Sequence, residues 1–179
     1  MAADTSIDLA AAAADDVASP RALRNALGRF ATGVAIITCG DAAGARVGLT
    51  ANSFAALSLE PPLVLWSLRK ASPSLAAFEF AAHFAVNVLG ESQVELSRRF
   101  AAPLAERESR FDEGASWSAG AGGAPVLAGC AAVFECERVA VHDGGDHRLF
   151  IGRVLRLADI ATAPLLFQGG RYHMLGEVL

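Results

Sequence analysis

Short apolar runs separated by turn residues are the feature of this sequence that most restricts its fold. Residues 34–39 and 63–68 are rich in β-branched and large apolar side chains, and a glycine or a proline precedes each run. Runs of this length next to turn residues are typical of buried β-strands. Three further apolar runs of the same kind lie at residues 83–89, 130–141 and 148–157. The pattern therefore predicts a mainly β protein.

Helical signals are shorter and fall between these runs. A serine–proline pair, which suits a helix cap and first turn, begins residues 19–30 and again residues 72–80. Residues 91–100 carry a third helical pattern, and residues 46–58 form a further predicted strand with a break at 50–52. Because helices and strands do not alternate, a doubly wound parallel sheet is disfavoured. We expect an antiparallel barrel of about seven strands with flanking helices.

Length, composition and charge bound the class of protein. The chain has 179 residues, of which 53% are hydrophobic and 19% are charged. It is long enough for one domain with its own core and too apolar for a disordered protein. We expect residues 1–18 to be a disordered alanine-rich tail and residues 19–179 to be the folded domain. A net charge of −4 without a basic stripe argues against nucleic acid as a partner. No apolar run reaches the ~18 residues of a membrane-spanning helix, so no membrane partner is expected.

The cysteines indicate a reducing compartment. Cys39, Cys130 and Cys136 contain no CxxC pair, so a disulfide framework or a structural zinc site is not expected. Several acidic residues and no basic residue precede Arg21, which argues against a signal peptide. The sequence therefore predicts a cytoplasmic protein with free thiols.

Polar segments at the ends of predicted strands are the candidate sites. Residues 50–53 interrupt a strand and offer hydrogen-bond donors to a ligand, although an ordinary bulge explains them as well. Residues 67–74 place basic and hydroxyl side chains where a strand gives way to a helix, which suits an anion or a solvated loop. Residues 142–147 contain two histidines and two aspartates around a glycine pair. Their spacing fits a tight hairpin better than a metal site, and a metal-dependent protein stays an alternative.

Eight strings carry a resemblance to a known family. They are RNALGRFATGV at 24–34, GLTANSF at 48–54, SLEPPLV at 58–64, FAVNVL at 84–89, LSRRFA at 96–101, GDH at 145–147 with GRV at 152–154, PLLF at 164–167 and GRYH at 170–173. In this order and spacing they resemble the short-chain flavin reductases, which are the reductase components of two-component flavin-dependent monooxygenases.

The resemblance implies a fold and an activity. The implied fold is the FMN-binding split β-barrel, antiparallel and Greek-key-like, as a homodimer with flavin at the subunit interface. The implied reaction is hydride transfer from NADH or NADPH to FMN or FAD, followed by diffusion of reduced flavin to a partner flavin-dependent monooxygenase. This family needs no Rossmann domain, in agreement with a sequence that lacks GxGxxG. The alternatives are a non-catalytic flavin carrier or sensor on the same barrel and a relative similar to pyridoxamine-phosphate oxidase.

The resemblance also assigns residues to roles, position by position. The implied flavin contacts are Gly48, Leu49, Thr50, Ala51, Asn52, Ser53, Ser67, Leu68, Arg69, Lys70, Ser72, Ser74, Asn87, Ser97, Arg99, Phe100 and Ala101. Ser72 and Ser74 are the implied phosphate ligands within this set. The implied nicotinamide contacts are Arg24, Arg171, Tyr172 and His147, with His147 as the catalytic residue. No metal ligand is implied.

Overall fold

Antiparallel β-structure makes up most of the computed structural model, which describes residues 19–40, 43–103, 109–112 and 114–177. The helices are α1 (Pro20–Leu27), α2 (Leu75–Phe80), α3 (Val94–Ala101) and α4 (Ser109–Asp112). The strands are β1 (Thr32–Gly33), β2 (Ala35–Gly40), β3 (Arg46–Ala51), β4 (Ala55–Leu59), β5 (Pro62–Arg69), β6 (His83–Val88), β7 (Trp117–Ala119), β8 (Pro125–Leu127), β9 (Ala132–Gly144), β10 (His147–Asp159), β11 (Leu166–Gln168) and β12 (Arg171–His173). The predicted tail at 1–18 lies outside the described residues.

One large sheet organises the molecule. Its strand order is β3-β2-β6-β9-β10-β5-β4, and every neighbouring pair is antiparallel. A three-stranded sheet, β1-β11-β12, and the ribbon β7-β8 complete the β-structure in the described ranges. The prediction of a mainly β, antiparallel fold with a few flanking helices is therefore confirmed.

The β9–β10 hairpin joins the two halves of the large sheet. Each strand has 13 residues, and β9 pairs outward with β6 whereas β10 pairs with β5. Gly145 has a φ of 66° at the tip, which favours glycine because it has no Cβ. The register places His147, the first residue of β10, opposite Arg69 at the end of β5. The hairpin thus carries His147 to the end of another strand.

A pair of serines links β5 to the segment that follows β3. These strands lie at or near opposite edges of the large sheet. The Ser53 hydroxyl donates to the carbonyl oxygen of Ser67 at 3.1 Å and accepts the Ser67 N–H at 3.0 Å. Because Ala55 pairs with Leu65, these bonds extend the β4–β5 register and tie the linker between β3 and β4 to β5.

Aromatic side chains fill the core on both faces of the sheet. Trp66 is fully buried and stacks on Phe150, with ring centroids 4.6 Å apart, and meets the edge of Phe78 at 4.9 Å. On the other face, Phe100 and Phe111 meet edge to face at 5.1 Å. Such pairs add to the stability that area burial provides. The second pair lies directly below β3.

Local boundaries differ from the sequence prediction in three places. The predicted strand over 46–58 is two strands, and the break covers residues 52–54, which overlaps the predicted break at Asn52. The helix expected from residue 72 begins at Leu75, because the Ser72 carbonyl and hydroxyl accept the N–H groups of Leu75 and Ser74 in a separate turn. The segment 101–125, predicted as irregular, contains α4, β7 and the start of β8. These elements have three or four residues, too few to show a period.

Asn87 is a structural residue of the core. Its amide nitrogen donates to the Ile36 carbonyl at 3.0 Å and to the Thr38 hydroxyl at 3.2 Å. Its amide oxygen accepts the Leu127 N–H at 2.8 Å. Asn87 is 0% exposed, so these bonds tie β6 to β2 and β8 without access to solvent. The resemblance implied a flavin contact here, whereas the structure places the whole amide in the core network.

We expect Asn87→Ala to lower the free energy of unfolding by about 2–3 kcal/mol, because it leaves buried backbone groups without partners. Chemical denaturation of the purified protein measures this change. The same substitution at exposed Asn25 is the matched control and should change stability by less than about 0.5 kcal/mol. Equal effects at both positions would contradict the structural role of Asn87.

Candidate functional site

A cavity of about 570 Å³ lies between the ends of β3 and β5, the turn before α2 and the end of α3. This volume is within the range of roughly 300–1,000 Å³ that is usual for small-molecule sites. The cavity brings together most of the residues predicted for flavin, together with His147: Gly48, Leu49, Thr50, Ala51, Asn52, Ser53, Ser67, Leu68, Arg69, Ser72, Ser74, Phe100 and Ala101. It also includes residues that sequence reasoning missed: Ala71, Pro73, Ala102, Pro103 and Arg110.

Four predicted flavin contacts lie away from the cavity lining. Lys70 forms an ion pair with Asp143 at 2.7 Å. Asn87 belongs to the core network, and Ser97 is fully buried within α3. Arg99 is half-buried on the same helix but does not line the cavity. Neighbours in sequence point to different sides, which a resemblance between strings does not reveal.

The predicted nicotinamide contacts divide in the same way. His147 lines the cavity, whereas Arg24 lies on α1 and Arg171 on β12, and both are exposed. The Tyr172 hydroxyl lies 2.9 Å from the Ser97 hydroxyl, and neither residue lines the cavity. The described chain therefore groups His147 with the flavin residues and leaves the other three outside.

Gly48 gives β3 its close approach to an aromatic floor. A Cβ at this position would lie 2.8 Å from the Phe100 ring and 3.1 Å from the Phe111 ring. The Arg46 guanidinium covers the Phe111 ring at 4.9 Å from its centroid. The glycine is thus needed by the packing beneath the strand, in addition to the access that the resemblance implies for a ligand above it.

Arg110 fastens the far wall of the cavity. Its Nη2 donates to the carbonyl oxygens of Ala102 and Pro103 at 2.8 and 2.6 Å. The residue is 7% exposed although it follows a polar stretch of sequence. Sequence reasoning missed it because charged residues in such stretches are mostly solvated. The adjacent apolar Phe111 was the only local signal of burial.

The charges on the lining favour an anionic ligand. Arg69 and Arg110 both line the cavity, and no aspartate or glutamate occurs among the lining residues that the structure describes. Guanidinium groups bind phosphate oxygens through directed, charge-assisted hydrogen bonds. The cavity therefore combines apolar and backbone surface with positive charge at its edge.

His147 is oriented by its neighbour in the chain. Its Nδ1 lies 2.7 Å from the Asp146 carboxylate, which can only accept, so Nδ1 carries a proton and Nε2 is left for a ligand. The hydrogen bond from His147 holds the pKa of Asp146 below its usual range. The carboxylate is thus charged at neutral pH, and the ring orientation is maintained.

A second acidic residue fixes the tip of the hairpin. Asp143 pairs with Lys70 at 2.7 Å and with Arg148 at 3.0 Å, and hydrogen bonds from these two cations lower its pKa. The Lys70 N–H also donates to the Asp146 carbonyl at 2.8 Å. The tip that carries His147 is therefore anchored to the end of β5.

Buried thiols and acidic side chains are the other groups with which a second chemical site is usually built. Burial raises the pKa of Cys130 and of Cys136 to about 12, so both remain protonated. Throughout the described ranges, no three His, Cys, Asp or Glu side chains are grouped so that they hold a metal ion. No helix in this part of the chain is both long enough and apolar enough to cross a membrane.

Comparison with known proteins identifies the family to which this fold and cavity belong. Residues 27–176 match the family model described as flavin reductase like domain. The chain is 46% identical over 152 residues to the FMN reductase (NADH) SmoA of Agrobacterium fabrum, covering 85% of this chain and 84% of that protein. It is 45% identical over 162 residues to HsaB of Rhodococcus jostii, the reductase subunit of a flavin-dependent monooxygenase, covering 90% and 80%. It spans about half (49%) of the length of another relative that it matches.

A solved structure extends the similarity to three dimensions. The NADH:FAD oxidoreductase SgcE6 of Streptomyces globisporus, in complex with NAD and FAD fragments, matches with a TM-score of 0.83 at 36% identity. The match covers 90% of this chain and 95% of that one. The predicted split β-barrel is thereby confirmed.

The antiparallel split barrel and its cationic cavity at the strand ends define a class of flavin-using oxidoreductases. The chain belongs to the flavin reductase-like domain family. The prediction of an NAD(P)H-dependent flavin reductase of the two-component monooxygenase type is confirmed at the level of this family.

We expect Asp146→Asn to lower kcat/KM for NADH by about fivefold at most, the limit for an exposed charged pair. The asparagine keeps the side-chain size but loses the charge that holds His147 Nδ1. Because the Asp146 pKa lies below its usual range, the pair is lost only as the pH falls through that lowered pKa. The wild-type profile from about pH 5 to 8 should therefore contain no step from this carboxylate.

His147→Ala should lower kcat/KM further than Asp146→Asn while the fold is retained. The double variant should match His147→Ala alone, because Asp146 acts through the ring that is then missing. If the fold-losses in kcat/KM of the two single variants multiply in the double variant, Asp146 acts independently of His147.

Proposed function

We propose that this chain uses NADH to reduce FMN bound in the cavity and releases the reduced flavin to a separate flavin-dependent monooxygenase. The observation that carries the choice of a phosphorylated flavin is the lining, which has two arginines and no carboxylate in its described part. Relatives named for FMN with NADH, and for the reductase subunit of a monooxygenase, support the substrate pair and the partner. FAD is the competing flavin, because the matched SgcE6 structure is that of an NADH:FAD oxidoreductase.

The fit of FMN to the cavity divides into two regions. The β3 segment from Gly48 to Ala51 and Leu68 of β5 offer backbone and apolar surface for the ring system. Arg69, Ser72 and Ser74 offer a guanidinium and hydroxyl groups for the phosphate. A flavin is then held by a flat apolar contact and by charge at one end.

The chain's contribution to the reaction is positioning. When both substrates are bound, the nicotinamide supplies a hydride to the flavin ring. His147 Nε2 offers one hydrogen bond from the cavity edge, with Nδ1 held by Asp146. Holding two reactants in register removes much of the entropic barrier of a bimolecular step. Cys130 and Cys136 remain thiols, because burial raises the pKa of each to about 12.

A second copy of the chain is the proposed partner in a homodimer. The edge strand β4 exposes Leu57 and Leu59, the latter to 93%. Phe30, after α1, is 79% exposed as well. Arg24 and Arg171 stay predicted nicotinamide contacts, which a second copy has to bring to the cavity. Location in the cytoplasm stays a prediction from the free thiols.

The first test is NADH oxidation by the purified protein with FMN, FAD or riboflavin in excess. We expect many turnovers with FMN and a KM about tenfold lower for FMN than for riboflavin, because riboflavin lacks the phosphate. This difference should shrink with added salt, since the arginine at the cavity edge is exposed. A stoichiometric burst without turnover would instead identify a flavin carrier or sensor. Equal KM values for FMN and riboflavin would refute the phosphate site.

Arg69→Gln should raise the KM for FMN about threefold to fivefold and leave the KM for riboflavin unchanged, because it removes one partially solvated phosphate contact. Lys70→Gln is the matched control, since Lys70 carries the same charge but faces Asp143. Steady-state kinetics with both flavins measures the selectivity. A larger rise in the KM for FMN from Lys70→Gln than from Arg69→Gln would show that Lys70, and not Arg69, contacts the phosphate.

A further inference from the structure

Helix α3 contacts both the cavity and the C-terminal β11–β12 hairpin. Its last turn contributes Phe100 and Ala101 to the cavity wall. Ser97, one turn earlier on the same face of α3, meets Tyr172 of β12, which lies directly across from Phe167 of β11. A change in the contact between the hairpin and α3 therefore also changes the position of the cavity wall.

Two hydrogen bonds meet at Ser97 of this helix. The Tyr172 hydroxyl lies 2.9 Å from the Ser97 hydroxyl. The Ser97 carbonyl oxygen accepts the Thr50 hydroxyl at 2.7 Å. Thr50 belongs to β3 and lines the cavity. Side-chain and backbone atoms of Ser97 thus join the hairpin to the cavity strand.

The surroundings of Ser97 and Tyr172 keep this connection in place. Ser97 is 0% exposed, so water does not substitute for the tyrosine hydroxyl. The Tyr172 ring meets the Phe167 ring edge-on at 5.5 Å, and the Arg98 guanidinium lies 5.8 Å from its centroid. The ring is therefore held on two sides while its hydroxyl points to Ser97.

We propose that Tyr172 is a positioning residue for flavin binding, which sets the spacing of α3 and β3 through Ser97 and Thr50. The inference rests on the proposed function, because the ligand of the cavity is taken to be FMN. In the described chain Tyr172 does not line the cavity, and it acts on the wall through Ser97. Losing its hydroxyl loosens the wall, weakens FMN binding and leaves the hydride step of bound FMN unchanged.

The main test compares Tyr172→Phe with Ser97→Ala, because each removes the same hydrogen bond from a different end. We expect each to raise the KM for FMN about fivefold, the equivalent of one lost hydrogen bond, with kcat and the KM for NADH within about twofold. The double variant should equal either single variant, because the bond is lost only once. Gln168→Ala is the control, since it removes a hydrogen bond to the Arg29 carbonyl elsewhere in the same hairpin.

A second measurement needs no turnover. Tyr172 is the single tyrosine of the chain, so incorporation of 3-fluorotyrosine gives one ¹⁹F signal. We expect saturating FMN to shift this signal in the wild type and not in Ser97→Ala. FMN binding followed by flavin fluorescence quenching gives a dissociation constant for each variant under the same conditions.

The outcomes separate this inference from the proposed function. Wild-type protein that binds FMN without turnover refutes the reductase proposal, and the dissociation constants then decide the role of Tyr172. If the wild type turns over and Tyr172→Phe binds FMN like the wild type, the positioning role is refuted, even if the variant melts at a lower temperature. A rise in the KM for NADH instead of FMN also overturns it, because Tyr172 then contacts the nicotinamide nucleotide.

Discussion

The pairing of β9 with β10 is the constraint on which the rest of the structure depends. These strands run through the middle of the large sheet, and their outer edges pair with β6 and β5. Register along the hairpin is tightly specified, because a slip of one residue would turn buried side chains toward solvent. Gly152 makes the same point, since a Cβ there would lie 2.4 Å from the Phe84 ring. The hairpin therefore fixes where β5 ends and where His147 begins.

The cavity inherits its shape from contacts that lie outside it. Ser53 ties the linker between β3 and β4 to Ser67 of β5, and Gly48 allows the Phe100 ring to support β3 from below. Ion pairs of Asp143 hold the hairpin tip, and Arg110 closes the end of α3. Most of the groups that face a ligand are backbone or small side chains, so these supports determine their positions. This arrangement suits a reaction in which the two substrates carry the chemistry and the protein supplies orientation.

Local patterns along the chain predicted most of the strands, whereas most of the cavity lining was predicted by resemblance to a family. Strands such as β5 and β6 were predictable because apolar residues and a turn signal lie within a few positions of each other. The lining at residues 48–53 and His147 came from the resemblance to a family. The predicted flavin contacts that lie outside the cavity share one physical reason, which is that adjacent side chains of a strand or turn face different surroundings. Lys70 follows a lining residue and faces Asp143, while Asn87 sits in a recognisable string and is fully buried.

By itself, the sequence determined the class of fold, because strand-length apolar runs and turn residues act over short distances. It also determined the family, because the order and spacing of the eight sequence motifs are visible in the sequence alone. Only the tertiary structure decided which polar groups meet. Ser97 and Tyr172 are 75 positions apart, and Thr50 is 47 positions from Ser97. Contacts at such separations depend on how helices and sheets pack, and no local pattern in the sequence encodes them. The role of Ser97 as a link between hairpin and cavity is therefore a property of the fold.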